Sequence, residues 1–292
     1  MLYFGTALSG VDPDPNAGFR QGMRELGYVE GLNLQLDFRH AEGRPDRMGA
    51  LAAELVQMKV DVIVAGGPVP LAAARQATST IPIVVIGGSD PVRAGWAQTL
   101  ARPGGNVTGM TVTFPELASK QLELLKQAVP DLVRVAILVA PAEIEELRLE
   151  AGARDLGLQL ITLEVQTSKD FEAAFQAASA ARAQGVYAIA TNTIVSQRKR
   201  VAELALNHRL PSISELTLLA NVGFLMGYGA DLEALGRRAA TYVDKILKGA
   251  RPGDLPIERP TDLELVVNLK TARAIGMTLP EALMLRVQRV IE

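Results

Sequence analysis

Short apolar runs alternate with longer stretches of helical periodicity over most of the chain. VDVIVAGG at 60–67 has the length and β-branched content of a buried strand, whereas MGALAAELVQM at 48–58 carries one apolar helical face. The same pattern predicts further strands in the first half at 2–10, 32–39 and 81–90. Regular alternation of strand and helix is typical of α/β proteins with parallel sheets.

The second half of the chain repeats the order of the first. Four predicted strands correspond in sequence order to those of the first half: RVAILVAP (134–141), LQLITLEV (158–165), VYAIATNT (186–193) and LPSISEL (210–216). Because eight elements correspond in register, we predict two similar doubly wound, Rossmann-like lobes. Such sheets bind ligands at the carboxyl ends of their strands, so we expect two polar edges that face each other across a cleft.

A third piece, from about Asn221, must add to these lobes. It contains predicted strands at 223–229 and 263–268 and a helix from Asp231 to about Lys248. We expect that helix to return to the first lobe and the final segment, which ends in a helix from about Pro280, to join the second.

This arrangement divides the chain into two domains with three connections. We predict one domain from 1–111 and 229–256 and another from 112–228 and 257–292. The crossings would lie near Thr111, Tyr228 and Glu258, and several crossings limit two lobes to a hinge motion.

Composition excludes several classes of function. Of the 292 residues, 48% are hydrophobic and 21% charged, with a net charge of −2, so no broad basic surface for nucleic acid is expected. The absence of cysteine excludes disulfides and thiolate metal sites. No apolar run reaches the roughly 20 residues of a membrane span, and LYFGTAL is not preceded by an export signal. The protein is therefore either cytoplasmic or exported with its signal removed.

Familiar catalytic and phosphate-binding motifs are absent or out of context. The glycine-rich stretch ARPGGNVTGM at 101–110 follows a helix pattern and precedes a strand, and it lacks the lysine of a phosphate-binding loop. We therefore interpret it as a turn. His40 and His208 have no second ligand at metal spacing, and ALSGV around Ser9 lacks the first glycine of a serine nucleophile elbow. We predict no metal and no cofactor.

Two carboxylates stand at equivalent strand ends. Asp90 follows the strand at 81–88, where the sequence SDP also indicates a helix N-cap with Pro91 as the first helical residue. Glu215 occupies the matching place in the second lobe. The two could serve acid and base catalysis or bind an ammonium group. The remaining strand-end residues are small, polar or aromatic: Leu8, Ser9, Gly66, Gly67, Pro68, Ser89, Asn192, Thr193 and Tyr228.

Several stretches resemble the substrate-binding proteins of ABC transporters, in particular the type associated with tryptophan and tyrosine transport. They are FRQGMRELGYVEGLNLQLDFRHAEG, DVIVAGG, IPIVVIGGSDPVRAGWAQTLARPGGNVTGMT and KQLELLKQAVP, and the resemblance runs from Tyr3 to about Gly276. It implies the type I periplasmic binding protein fold, with two lobes, three crossings and a ligand held at the hinge.

The resemblance also implies a role and a set of contacts. Members are exported, remain periplasmic or lipid-anchored, and deliver a small-molecule ligand to a membrane permease and its ATPase. Carried over by position, the ligand-lining residues would be Leu8, Ser9, Gly66 to Pro68, Ser89, Asp90, Pro141, Asn192, Thr193 and Glu215.

We therefore expect a monomeric, non-enzymatic binding protein that closes on a small organic solute, with an aromatic amino acid or a related carboxylate as the first candidate. Two other classes stay open. One is the effector-sensing domain of a regulator, although no helix-turn-helix precedes Leu2. The other is a two-lobed enzyme that uses Asp90 and Glu215.

Overall fold

The computed structural model describes residues 1–3, 16–88, 90–112, 115–140 and 149–292. The chain divides into two compact units. The first comprises Met1–Val112 and Leu232–Thr261, and the second comprises Thr113–Asp231 and Asp262–Glu292. The chain thus passes from one unit to the other three times.

The sheet of the first unit has five parallel strands. Numbered along the chain, they are β1 (Leu2–Tyr3), β2 (Arg39–His40), β3 (Ile63–Gly66), β4 (Ile83–Ile86) and β5 (Val107–Met110). Their order across the sheet is β2-β1-β3-β4-β5. The described parts of β3 and β4 are almost entirely buried, as expected for strands covered by helices on both faces.

Four helices accompany this sheet: α1 (Ala17–Glu25), α2 (Met48–Gln57), α3 (Pro68–Ala77) and α10 (Leu232–Leu247). The last of them comes from the returning chain and packs on α1 through glycines. A Cβ atom on Gly18 would lie 1.9 Å from the Glu233 carbonyl oxygen, and one on Gly236 would lie 2.8 Å from the Phe19 nitrogen. Glycine therefore permits a close approach of two helix backbones that any side chain would block.

The sheet of the second unit has seven strands: β6 (Arg134–Val139), β7 (Gln159–Glu164), β8 (Gly185–Ala188), β9 (Ser212–Leu216), β10 (Met226–Ala230), β11 (Leu263–Asn268) and β12 (Arg289–Ile291). Their order is β12-β11-β10-β9-β8-β6-β7. All neighbouring pairs are parallel except β10 and β11.

The helices of the second unit are α4 (Pro115–Ala128), α5 (Leu149–Asp155), α6 (Phe171–Ala180), α7 (Asn192–Ser196), α8 (Arg198–Asn207), α9 (Thr217–Asn221), α11 (Leu269–Ala274) and α12 (Glu281–Met284). One hydrophobic core lies between α4 and the sheet face that carries Tyr187, Ile213 and Met226. These three residues pair across β8, β9 and β10, so they form one row on that face.

The predicted duplication is present in the strand order. In each unit the first strand lies between the second and the third, and the fourth and fifth follow outward. Both sheets are doubly wound, as the repeated pattern predicted, and the α/β class is confirmed. The antiparallel strand β11 and the edge strand β12 extend the second sheet beyond the repeat.

Two predicted elements differ from the structure, the strand at 32–39 and the last helix. Of the strand predicted at 32–39, only Arg39 lies in a strand, β2, and Leu32 is 81% exposed, so this segment does not bury an apolar face. The last helix is only α12, and the chain after it forms β12. Only Leu2 and Tyr3 of the predicted first strand lie among the described residues.

The glycine-rich stretch 101–110 was predicted to be a turn before a strand. Residues 101–106 lead into β5, which takes up the last four residues of the stretch, Val107–Met110. Gly104 has φ +80° and donates its N–H to the Gly253 carbonyl oxygen at 3.1 Å. The Thr108 hydroxyl donates to the Leu255 carbonyl oxygen at 2.9 Å. The turn therefore holds the returning segment 252–258 against the edge of the first sheet.

Candidate functional site

The carboxyl ends of the parallel strands bring most of the described site candidates to one edge of each sheet, and Tyr228 is the exception. Ligands of doubly wound proteins bind at this edge, near the point where the strand order reverses. In the first unit the described candidates are Gly66, Gly67, Pro68 and Asp90, and in the second they are Asn192, Thr193, Glu215 and Tyr228. Leu8, Ser9, Ser89 and Pro141 lie outside the described residues.

Gly66, Gly67 and Pro68 form the junction between β3 and α3. Gly66 is the last residue of β3 and pairs with Ile86 of β4. Gly67, at φ +96°, is the N-cap of α3 and has no side chain with which to cap it, and Pro68 is the first helical residue. A helix N-terminus of this kind favours a nearby anion.

Asp90 stabilises a turn at the carboxyl end of β4. Its Oδ1 atom accepts hydrogen bonds from the Val92 N–H at 2.9 Å and the Arg93 N–H at 3.2 Å. The capping role that the sequence indicated is present, but the chain makes a turn and no α-helix follows. The Ala94 N–H donates to the Asp90 carbonyl oxygen at 3.0 Å, which closes that turn.

In the second unit, the segment after β8 is fixed by hydroxyl groups. The Thr191 hydroxyl oxygen accepts from the Ile194 N–H at 3.2 Å and caps α7. The Thr193 hydroxyl donates to the Gln166 carbonyl oxygen at 3.1 Å. Asn192, between them, is the first residue of α7 and is half-buried. The Thr193 hydroxyl therefore has a structural role, because its hydrogen bond joins the start of α7 to the segment after β7.

Glu215 is a buried carboxylate on β9, with 3% of its surface exposed. Its Oε1 atom accepts a hydrogen bond from the Ala190 N–H at 3.1 Å. This bond joins β9 to the segment that leads to Asn192, so Glu215 and Asn192 share one edge of the sheet. Burial of a carboxylate is costly unless hydrogen bonds or an opposite charge compensate it.

A β-bulge in β10 lies opposite Glu215. Gly227 pairs with Ser214 and Ala230 pairs with Leu216, so two residues, Tyr228 and Gly229, stand opposite the single residue Glu215. A Cβ atom on Gly229 would lie 1.7 Å from the Glu215 carbonyl oxygen. Bulges frequently lie beside functional sites, where they change the direction of a strand.

Tyr228 lies in the middle of β10 and not at its end. Its half-buried side chain packs against the hydrophobic core on the α4 side of the sheet. Its carbonyl oxygen, at the bulge, accepts a hydrogen bond from the Gln121 amide nitrogen at 2.6 Å. The residue is therefore part of the framework around Glu215 through its backbone.

Gln121 and Tyr187 are residues that the sequence analysis missed. Gln121 lies on α4 and is completely buried, and its amide oxygen accepts a hydrogen bond from the Tyr187 hydroxyl. Burial, together with the negative charge of Glu215, raises the pKa of the Tyr187 phenol well above its usual value. A polar residue on the apolar face of a helix, between Ala118 and Leu125, was the signal that could have found Gln121.

Other polar groups of the described chain form structural contacts. The His208 Nδ1 atom lies 2.7 Å from the Ser179 hydroxyl, and the His40 ring stacks on Phe38. Among the described residues, no group of three or more histidine, aspartate or glutamate side chains could hold a metal ion. Within the same residues, no helix is both long and apolar enough to span a bilayer.

Comparison with known proteins agrees with this architecture. Residues 14–291 match the family model described as ABC transporter substrate binding protein. A curated relative, a tyrosine-binding protein of Clostridioides difficile, is 28% identical over 89% of this chain and 76% of its own length. The ABC domain of Streptococcus pneumoniae in complex with L-Trp is 25% identical, covers 99% of this chain and 98% of its own, and has a TM-score of 0.89.

A more distant structure shares the fold alone. The leucine-binding protein LivK of Thermotoga maritima is 14% identical, covers 85% of this chain and 81% of its own, and has a TM-score of 0.57. The fold is that of the type I periplasmic binding proteins, as the sequence resemblance implied. With nearly the whole chain matched by the family model, the protein belongs to the ABC transporter substrate-binding protein family.

Proposed function

We propose that the protein is the solute-binding component of an ABC importer and that its ligand is an aromatic amino acid. It works outside the cytoplasm, in the periplasm or anchored by lipid, and delivers its ligand as a monomer to a membrane permease and its ATPase. The family match supports the transport role. A tyrosine-binding protein and a structure in complex with L-Trp among its relatives support the ligand class.

One observation on this chain supports an amino acid as the ligand. The carboxylate of Glu215 is buried at the carboxyl edge of the second sheet. An ammonium group is the natural counter-ion for a carboxylate removed from water, because an opposite charge offsets part of the desolvation cost. The N-terminus of α3 in the first unit suits the ligand carboxylate. An amino acid carries both groups.

The remaining predicted contacts follow from the same hypothesis. They are Leu8, Ser9, Gly66, Gly67, Pro68, Ser89, Asp90, Pro141, Asn192, Thr193 and Tyr228. In this proposal the carboxyl edges of the two sheets hold the ligand together, and a hinge movement encloses it.

A thermal-shift screen tests the ligand class. L-tryptophan, L-tyrosine and L-phenylalanine are added in turn at concentrations up to about a hundred times the expected dissociation constant, which stabilises a one-site protein by about 2.7 kcal/mol. We expect at least one of them to raise the melting temperature, whereas L-aspartate leaves it unchanged. A screen in which none of the three has an effect would remove the ligand class and leave family membership intact.

A pair of carboxylate variants tests the role of Glu215. Glu215→Gln keeps the size of the side chain but removes its charge, and we expect the affinity for the amino acid to fall at least about tenfold. Glu164→Gln is the matched control, because Glu164 ends β7 of the same sheet and is exposed. Equal affinities of the two variants would contradict the assignment.

A further inference from the structure

Gln121 joins the two strands that flank the strand of Glu215. The sheet order places β9 between β8 and β10. Gln121 lies on α4, which packs over this sheet. Its side chain accepts a hydrogen bond from the Tyr187 hydroxyl on β8 and donates one to the Tyr228 carbonyl oxygen on β10. A single buried amide therefore spans the strand that carries the carboxylate.

The polarity of these bonds is fixed. The Tyr228 carbonyl oxygen can only accept, so the Gln121 nitrogen must face it, and the Gln121 oxygen accepts a hydrogen bond from the Tyr187 hydroxyl. That carbonyl belongs to the bulge, where the regular register between β10 and β9 is interrupted. Gln121 thus donates a hydrogen bond to a backbone carbonyl oxygen at the bulge.

The bulge in turn determines the course of the backbone at Glu215. Tyr228 and Gly229 stand opposite Glu215, and Gly229 approaches its carbonyl oxygen more closely than any residue with a side chain could. The Glu215 carboxylate is further fixed by the Ala190 N–H. The position of the carboxylate therefore depends on the strands that Gln121 holds on either side.

We propose that Gln121 is a positioning residue for the ligand site: it fixes β8 and β10 around β9 and so sets the place of the Glu215 carboxylate that receives the ligand ammonium. The inference rests on the proposed function for the identity of the ligand. The positioning itself concerns only the second unit and can be measured without a ligand.

The experiment compares Gln121→Met with Gln127→Met. Methionine matches glutamine in length but cannot form the two hydrogen bonds. Gln127 lies on the same helix, where its side chain bonds Glu123 and Arg286. The probes are titration with whichever of L-tryptophan, L-tyrosine and L-phenylalanine the wild type binds most tightly, and amide hydrogen exchange at Ala190 followed by NMR. Val165, whose N–H bonds the Val139 carbonyl oxygen, is the reference amide.

We expect Gln121→Met to bind the amino acid about tenfold or more weakly and its Ala190 amide to exchange faster than in the wild type. Exchange of the Val165 amide should be unchanged, and Gln127→Met should match the wild type in both affinity and exchange. A purely structural loss would accelerate both amides together. Wild-type affinity in Gln121→Met, or unchanged exchange at Ala190, would overturn the inference. A wild type that binds none of the amino acids would refute the proposed ligand, and the exchange at Ala190 would still decide whether Gln121 positions Glu215.

Discussion

Gly229 stands so close to Glu215 that a methyl group cannot fit between them. A Cβ atom on Gly229 would lie 1.7 Å from the Glu215 carbonyl oxygen, well inside the contact distance of any two atoms. Gly229→Ala must therefore push β10 away from β9. We expect a loss of about 1–3 kcal/mol or more in the free energy of unfolding, measured by urea denaturation, and weaker ligand binding.

Gly49→Ala is the control for this substitution. Gly49 lies in α2, and nothing stands within 4 Å of the position of its Cβ. Alanine at an open position inside a helix is favoured over glycine by up to about 1 kcal/mol, so this variant should be more stable than the wild type. Equal effects of the two substitutions would show that Gly229 is not sterically required.

Two serines on the same face of β9 are expected to respond oppositely to alanine. Both Ser212 and Ser214 are fully buried. The Ser212 hydroxyl oxygen accepts from the Leu225 N–H at 2.9 Å, whereas the Ser214 hydroxyl has no hydrogen-bond partner in the described part of the chain.

Ser212→Ala should cost about 1–3 kcal/mol because it leaves a buried N–H unsatisfied, and Ser214→Ala should be neutral or stabilising. Thermal unfolding of the two variants beside the wild type measures the difference. Equal destabilisation by both would contradict the assigned hydrogen bonds.

The ion pair between Arg238 and Glu258 should make the first unit sensitive to acid. Hydrogen bonding to Arg238 lowers the pKa of Glu258 against the opposing effect of burial, and Tyr242 and Lys245 add smaller contributions. A carboxyl group with a lowered pKa stabilises the folded state above its unfolded pKa and loses that contribution as pH falls through the folded value. Because both side chains are partly exposed, the contribution is about 1 kcal/mol or less.

The measurement is the melting temperature of the wild type and of Glu258→Gln from about pH 7 down to about pH 3. We expect the wild type to be more stable near neutral pH and the two curves to converge as the pH falls through the lowered folded pKa of Glu258 and its carboxyl group becomes protonated. A difference that persists unchanged at the acidic end would show that the ion pair is not its source.

Much of the architecture could be predicted because buried strands carry their signal locally. The run at 263–268 is β11 as predicted, and the strand order of each unit follows from the repeated alternation. The prediction of a strand over residues 32–38 was wrong for a physical reason. Apolar residues alternate with polar ones both in a half-buried strand and in this partly exposed loop. Periodicity alone therefore could not distinguish the loop from a strand.

The site could be predicted only in part. The rule that ligands bind at strand ends proposed Glu215 and Asn192 as candidates, because it needs only the positions of the strands, and the structure places both at one edge of the second sheet. It could not find the bulge at Tyr228, since a bulge depends on the pairing register of two strands. Gln121 lies almost a hundred residues before Glu215, and its two hydrogen bonds exist only once α4 has packed on the sheet.

In the proposed function, the Glu215 carboxylate receives the ammonium group of an amino acid. A crystal structure of the protein with the best-binding aromatic amino acid tests it directly. We expect the ligand nitrogen within about 3 Å of a Glu215 carboxylate oxygen, in line with charge-assisted hydrogen bonds. A bound amino acid whose nitrogen contacts other groups and not the Glu215 carboxylate would contradict this assignment.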